Sequence, residues 1–157
     1  MRKRQKGLYL VEFAIVGFVF LLILFTLIEF GRALYVMNSL GEATRRGVRM
    51  AVVCPIGDAA IREVAVFNPS GGGGNSSLIA GLTTANVVVE YLDTTGGVIG
   101  NPAASFIQVR SARVRIANFT HTFLIPFVNI SFVTPGFPAT LPRESLGIPR
   151  QGAITPC

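Results

Sequence analysis

The chain has 157 residues, half of them apolar, with a formal net charge of +6 and a mean hydropathy of +0.56. That length suits one small domain plus an anchor. The positive charge does not indicate a nucleic-acid binder: Arg2, Lys3, Arg4 and Lys6 precede the first apolar run, and removing residues 1–7 leaves ten arginines against eight acids, a net +2.

Residues 7–30 form an apolar run long enough to cross a bilayer, since roughly 20 residues at about 1.5 Å each cover a hydrocarbon core of about 30 Å. The basic stretch 1–7 ahead of it places the N-terminus in the cytoplasm and the remainder outside. Arg32, Arg45, Arg46 and Arg49 follow the run and weaken that asymmetry, but only Arg32 lies near its end, where Glu29 is one helical turn away. A cleaved secretory signal is the competing reading. The run is longer than the usual apolar core of such a signal, and Glu29-Phe30-Gly31-Arg32 offers no Ala-x-Ala site. The segment is therefore expected to stay attached. Glu12 is the one ionisable residue well inside it; a carboxylate in lipid costs a few kcal/mol and so points to function, the alternative being a side chain that reaches the headgroups.

Beyond the span the pattern stays helical. Ala33, Val36, Met37, Leu40, Ala43, Gly47 and Ala51 recur at spacings of three and four, with polar residues between them. Glu42 precedes Arg46 by four, the favoured order for a helical ion pair. One helix over 8–53 is predicted, about 70 Å long, bending at Gly31, Gly41 or Gly47 and stopped by Cys54-Pro55. A second helix over 59–67 follows, capped by Asp58, with Ile61, Val64, Ala65 and Phe67 as its apolar face. The four glycines 71–74 lack the Lys-Ser/Thr of a nucleotide loop and read as a flexible connection.

Strands come next. Residues 87–92 are β-branched, and a turn at 93–97 leads to Val98-Ile99. In 106–119, Ile107 and Val109 share one phase while Ala112, Val114 and Ile116 share the other; a slip near Ser111 predicts a bulge or a change of buried face. The acids Glu90 and Asp93, at a strand end and a turn, are expected to be solvated. Phe123-Leu124-Ile125-Pro126-Phe127-Val128 is too short to span, and is either core or a patch at the membrane surface or at a subunit contact. From Thr134 onward, five prolines and three glycines predict an irregular tail. The expected fold class is α+β: a long transmembrane/amphipathic helix, a small antiparallel sheet packed on its outer half, and a proline-rich tail. The domain reading is a leader at 1–7, a span at 8–30, an outward amphipathic continuation at 31–53, and a small extracytoplasmic domain at 54–157.

The inventory for catalysis is thin. His121 is the only histidine, so one chain builds neither a triad nor a multi-histidine metal site, and between Thr120 and Thr122 it reads as a polar loop residue. No metal, cofactor or enzymatic activity is expected. Cys54 ends the long helix and Cys157 is the last residue shown. In an oxidising compartment a bridge between them would tie the tail to the helix, the alternative being two free thiols.

Two stretches carry a family resemblance: Gly7-Leu8-Tyr9-Leu10-Val11-Glu12-Phe13, and Ile28-Glu29-Phe30-Gly31-Arg32-Ala33-Leu34-Tyr35 continuing through Asn38, Ala43 and Arg45-Arg46-Gly47 to Arg49. The chain resembles the TadE/TadG-like minor pilins or pseudopilins of bacterial tight-adherence (Flp type IVb) pili over its first third. The resemblance implies a prepilin peptidase cleaving between Gly7 and Leu8, with Glu12 and Phe13 following as part of the processing and assembly signal. It also implies contacts with major and minor pilin subunits through the N-terminal helix, Glu29, Phe30, Gly31 and Arg32 included. An inner-membrane location follows, with the outer domain in the periplasm or carried into an extracellular pilus. The competing function is an unprocessed single-span anchor for an envelope binding module.

Overall fold

The computed structural model describes residues 6–125, 130–148 and 156–157. The chain forms two compact units, Met1–Tyr35 with His121–Phe132, and Val36–Thr120 with Val133–Cys157. One helix, α1 (Lys6–Val53), contributes to both. Its start and stop agree with the predicted 8–53 to within two residues, because an uninterrupted run of helix-compatible side chains meets its first proline at Pro55. The leader residues 1–5 and the tail residues 149–155 lie outside the described residues.

In the first unit, the apolar side chains of α1 from Leu8 to Ile28 are exposed almost without exception. A helix apolar on all sides matches a membrane span rather than a water-facing surface. The unit also holds most of a short hairpin in which β3 (Thr120–Thr122) pairs with β4 (Ser131–Val133).

The second unit is the α+β body. Strands β1 (Val87–Leu92), β2 (Ser111–Ile116) and β5 (Ala139–Pro142) form an antiparallel sheet in the order β1-β2-β5, with Val89 opposite Val114 and Ala112 opposite Leu141. Leu40, Ala43, Val48 and Val52 of α1 join Val87, Val114 and Ile116 of the sheet in one core, together with Ile61 and Ala65 of α2 (Ala59–Ala65). Asp58 caps α2 by accepting the Ala60 amide at 2.9 Å. Helix α2 stops two residues short of the expected Phe67, which adopts a left-handed backbone (φ 67°).

Three expectations need correction. The phase slip before Ser111 is not a bulge: residues 106–108 form a 3-10 turn, and the strand proper then alternates strictly between half-buried and buried positions. Ile107 is 81% exposed while Val109 is fully buried, because residues two apart do not share a face at three residues per turn. The proline-rich tail is only partly irregular, since it supplies β5. Pro142 ends an edge strand, where a missing N–H is tolerated. Gly47, expected as a possible bend, is a point of close approach: a Cβ there would stand 2.9 Å from the Ala65 Cβ and 3.1 Å from a Val114 methyl.

Candidate functional site

The residues expected at the processing and assembly site lie at the start of α1. Gly7, Leu8, Glu12 and Phe13 are all exposed, and Leu8 and Glu12 stand four apart, one turn of the same helix. A carboxylate at this place in an apolar helix calls for a cation, and an amine at Leu8 would be one turn away on the same side.

At the other end of the apolar run the structure builds a second polar cluster. Glu29 is buried, 6% exposed, and its carboxylate receives three charge-assisted hydrogen bonds from Arg32, the shortest 2.7 Å. Its Oε2 also accepts the backbone amide of Leu124 at 2.9 Å. The Arg32 guanidinium donates in turn to the Thr122 carbonyl. The pair expected one helical turn apart therefore also fastens the β3 end of the hairpin to the helix. Of the four residues expected as a packing group, Glu29 and Arg32 make these contacts. Phe30 is exposed, and Gly31 faces open space in the described structure.

His121, expected in a polar loop, is instead a buried strand residue, 4% exposed, in edge contact with Phe123 at 5.3 Å and near Phe132 at 5.6 Å. Burial first, and then the nearby Arg32 charge, hold its pKa below the ordinary value, with Glu29 pulling the other way. Its Nε2 has no hydrogen-bond partner among the described residues. The signal for this in the sequence is the polar-apolar alternation Phe119-Thr120-His121-Thr122-Phe123, in which His121 falls on the phase of the two phenylalanines.

In the α+β body the two cysteines, 103 positions apart in sequence, form a disulfide with Cα atoms 5.8 Å apart. The segment before 149 is held to the same helix end. The amides of Glu144 and Leu146 donate to the Val52 carbonyl, and the amide of Gly147 and the Ser145 hydroxyl donate to the Val53 carbonyl. These bonds satisfy carbonyls that a helix terminus otherwise leaves open. Gly147 takes a left-handed backbone against Pro55, where a Cβ would stand 2.6 Å from the proline ring.

The same unit has a cleft of about 630 Å³ lined by Ile61, Arg62, Glu63, Glu90, Tyr91 and Ile99, among others. Glu90, expected to be solvated, is instead paired with Arg113 at 2.7 Å and Arg115 at 3.1 Å across the β1–β2 register. Burial alone would raise the Glu90 carboxyl, but the hydrogen bonds from Arg113 and Arg115 together bring it below the ordinary value. Burial pushes the Tyr91 hydroxyl up to about 12, with the Asp58 charge adding to the shift; the Gly57 backbone opposes it at a geometry short of a hydrogen bond. Asp93 is solvent-facing as expected, and its carboxylate organises the turn by accepting from Thr95 and Gly97. Among the described residues no group of three or more histidine, cysteine or acidic side chains is placed to hold a metal ion.

Comparison with known proteins finds a similarity on α1. Residues 7–49 match the family model for TadE-like protein. No curated protein and no solved structure matches the chain. The matched segment covers the apolar run, the Glu29–Arg32 pair and the amphipathic continuation through Arg49, the same residues that carry the resemblance in the sequence. Through these residues the chain carries a TadE-like domain on its N-terminal apolar helix, a likeness to a pilus-associated family.

Proposed function

We propose that this protein is a minor pilin-like subunit of a tight-adherence pilus or its secretion machinery, processed by a prepilin peptidase between Gly7 and Leu8 and supporting pilus assembly and surface adherence. The observation that carries the proposal is that the TadE-like segment 7–49, which lies on one unbroken helix, follows a basic stretch of sequence and has Gly7 before the cut and a carboxylate at the fifth position after it. Cleavage would remove four cations and create an amine at Leu8. Glu12 of one subunit would neutralise the amine of a neighbour, or its own, and offset part of the cost of holding both charges in lipid. The protein would sit in the inner membrane as a single span, with its N-terminus cytoplasmic and the α+β body in the periplasm. Its partners would be the peptidase and other pilin subunits through the exposed apolar face of α1, including Phe30 and Gly31.

N-terminal sequencing of membrane-purified protein tests the proposal. The expected first residue is Leu8, and a chain still beginning at Met1 in cells with an active prepilin peptidase refutes processing. A second reading, an unprocessed anchor for a binding module, draws support from the cleft beside Glu90 and Tyr91. Glu12→Gln separates the two readings. Assembly predicts loss of partner association or piliation in this variant, whereas a simple anchor predicts unchanged behaviour.

A further inference from the structure

Two bonds fix the direction in which the hairpin leaves the helix. Thr122 is tied to Arg32 and Leu124 to Glu29. Going from Arg32 to Glu29 moves back along α1 by almost one turn, whereas going from Thr122 to Leu124 moves forward along the chain. The strand therefore runs antiparallel to α1, toward its apolar run. The returning arm is paired to it where the Phe123 amide donates to the Ile130 carbonyl at 2.9 Å. Leu124 is 70% exposed and Ile130 50%. The sequence contains no aspartate, glutamate, lysine or arginine between Arg115 and Arg143, and none between Glu12 and Glu29.

These observations converge on one environment. An uncharged segment with exposed Leu124 and Ile130 is directed along a helix stretch that is itself apolar on every side, and the two belong to the same compact unit. Water is an unfavourable neighbour for both. Backbone polar groups at membrane depth need internal partners, and the Leu124 amide has one in the Glu29 carboxylate. The carboxylate is in turn matched by Arg32, so the clasp leaves no unpaired charge at that level.

We propose that the paired arms at 121–125 and 130–132 form a second membrane-contacting element. Leu124 and Ile130 enter the boundary between headgroups and acyl chains of the leaflet at the Glu29 end of the span, and the Glu29–Arg32 clasp sets their depth. The partner is the lipid surface itself. The inference rests on α1 being a membrane span, as the proposed function has it.

The sequence contains no tryptophan, so a single introduced indole reports its own surroundings. The full chain is reconstituted in phosphatidylcholine/phosphatidylglycerol vesicles, with and without bromine on the acyl chains, as Leu124→Trp and separately as Phe25→Trp. Both side chains are exposed enough to be replaced without disturbing a core. The expected result is a blue-shifted Leu124→Trp emission that loses intensity in brominated vesicles to an extent comparable with Phe25→Trp and resists aqueous iodide. If Phe25→Trp is quenched by bromine and Leu124→Trp only by iodide, the hairpin faces water and the proposal fails. If Leu124→Trp is shielded from both quenchers, a protein surface covers it and the proposal fails in favour of a subunit contact. If Phe25→Trp itself escapes bromine, the span reading is wrong, and this inference falls with it.

Discussion

His121 shows how much one side chain depends on its setting. Its imidazole lies against Phe123 and Phe132, with Arg32 and Glu29 the charged groups nearby. A base whose folded pKa lies below its ordinary value, near 6.5, is held neutral by the fold, while the unfolded chain takes up the proton first. Its contribution to stability is therefore complete above about pH 6.5 and is lost as the pH falls through the folded value. Hydrogen exchange of the hairpin amides is expected to accelerate on acidification below that point in the wild type and to lose this dependence in His121→Phe; an unchanged profile in the variant would show that the histidine is not responsible. Glu90 has the opposite chemistry and the same sign. Its carboxyl is depressed by Arg113 and Arg115, so its stabilisation is present above about pH 4.5 and is lost as the pH falls toward the folded value. Glu90→Gln is expected to cost about 1–2 kcal/mol in denaturant unfolding at neutral pH, below the full worth of a buried charged hydrogen bond because Arg113 and Arg115 are each about a third or more exposed.

At the scale of elements, α1 is the member on which the others are placed. Its outer stretch contributes Leu40, Ala43, Val48 and Val52 to the core, and Gly47 lets α2 and β2 approach its backbone. Gly47→Ala sets two effects against each other. Helix propensity gains about 1 kcal/mol, while overpacking against Ala65 and Val114 costs about 1–3 kcal/mol. The methyl contacts involve small, stiff side chains that cannot swing aside, so the loss is expected to prevail, and a lower denaturation midpoint for Gly47→Ala checks it. By contrast, Gly41→Ala has open space and should be neutral or stabilising.

At the scale of the molecule, the disulfide and the tail's bonds to Val52 and Val53 close the α+β body on itself. A covalent loop of this length restricts the unfolded chain by about 4–5 kcal/mol in the chain-entropy account, and removal of native bridges typically costs about 2–5 kcal/mol. Cys157→Ser, or reduction of the wild type, is therefore expected to lower the unfolding free energy of the body by an amount in that range. Coincident denaturation curves with and without reductant would show that the bridge contributes nothing. An outer body that depends on an oxidising compartment fits the periplasmic placement proposed above.

Much of this was already legible in the residues. Period and composition alone place α1 and β1, because an apolar run of span length and a β-branched hexapeptide each satisfy their local preferences with no help from distant chain. The basic residues 2–6, Glu12 and the TadE-like residues are likewise read directly from spacing along the sequence. The remainder required tertiary structure. That Glu90 is ion-paired, that Gly47 is a packing contact and that residues 139–142 form a strand all depend on partners 18 to 67 positions away, for which local pattern carries no signal. The sequence by itself determined the long apolar helix and its likeness to TadE-like protein, since span length and the matching residues are read one after another along a single helix. Only the tertiary structure decided what Glu29 holds, because the Leu124 amide it accepts comes from the far end of the chain.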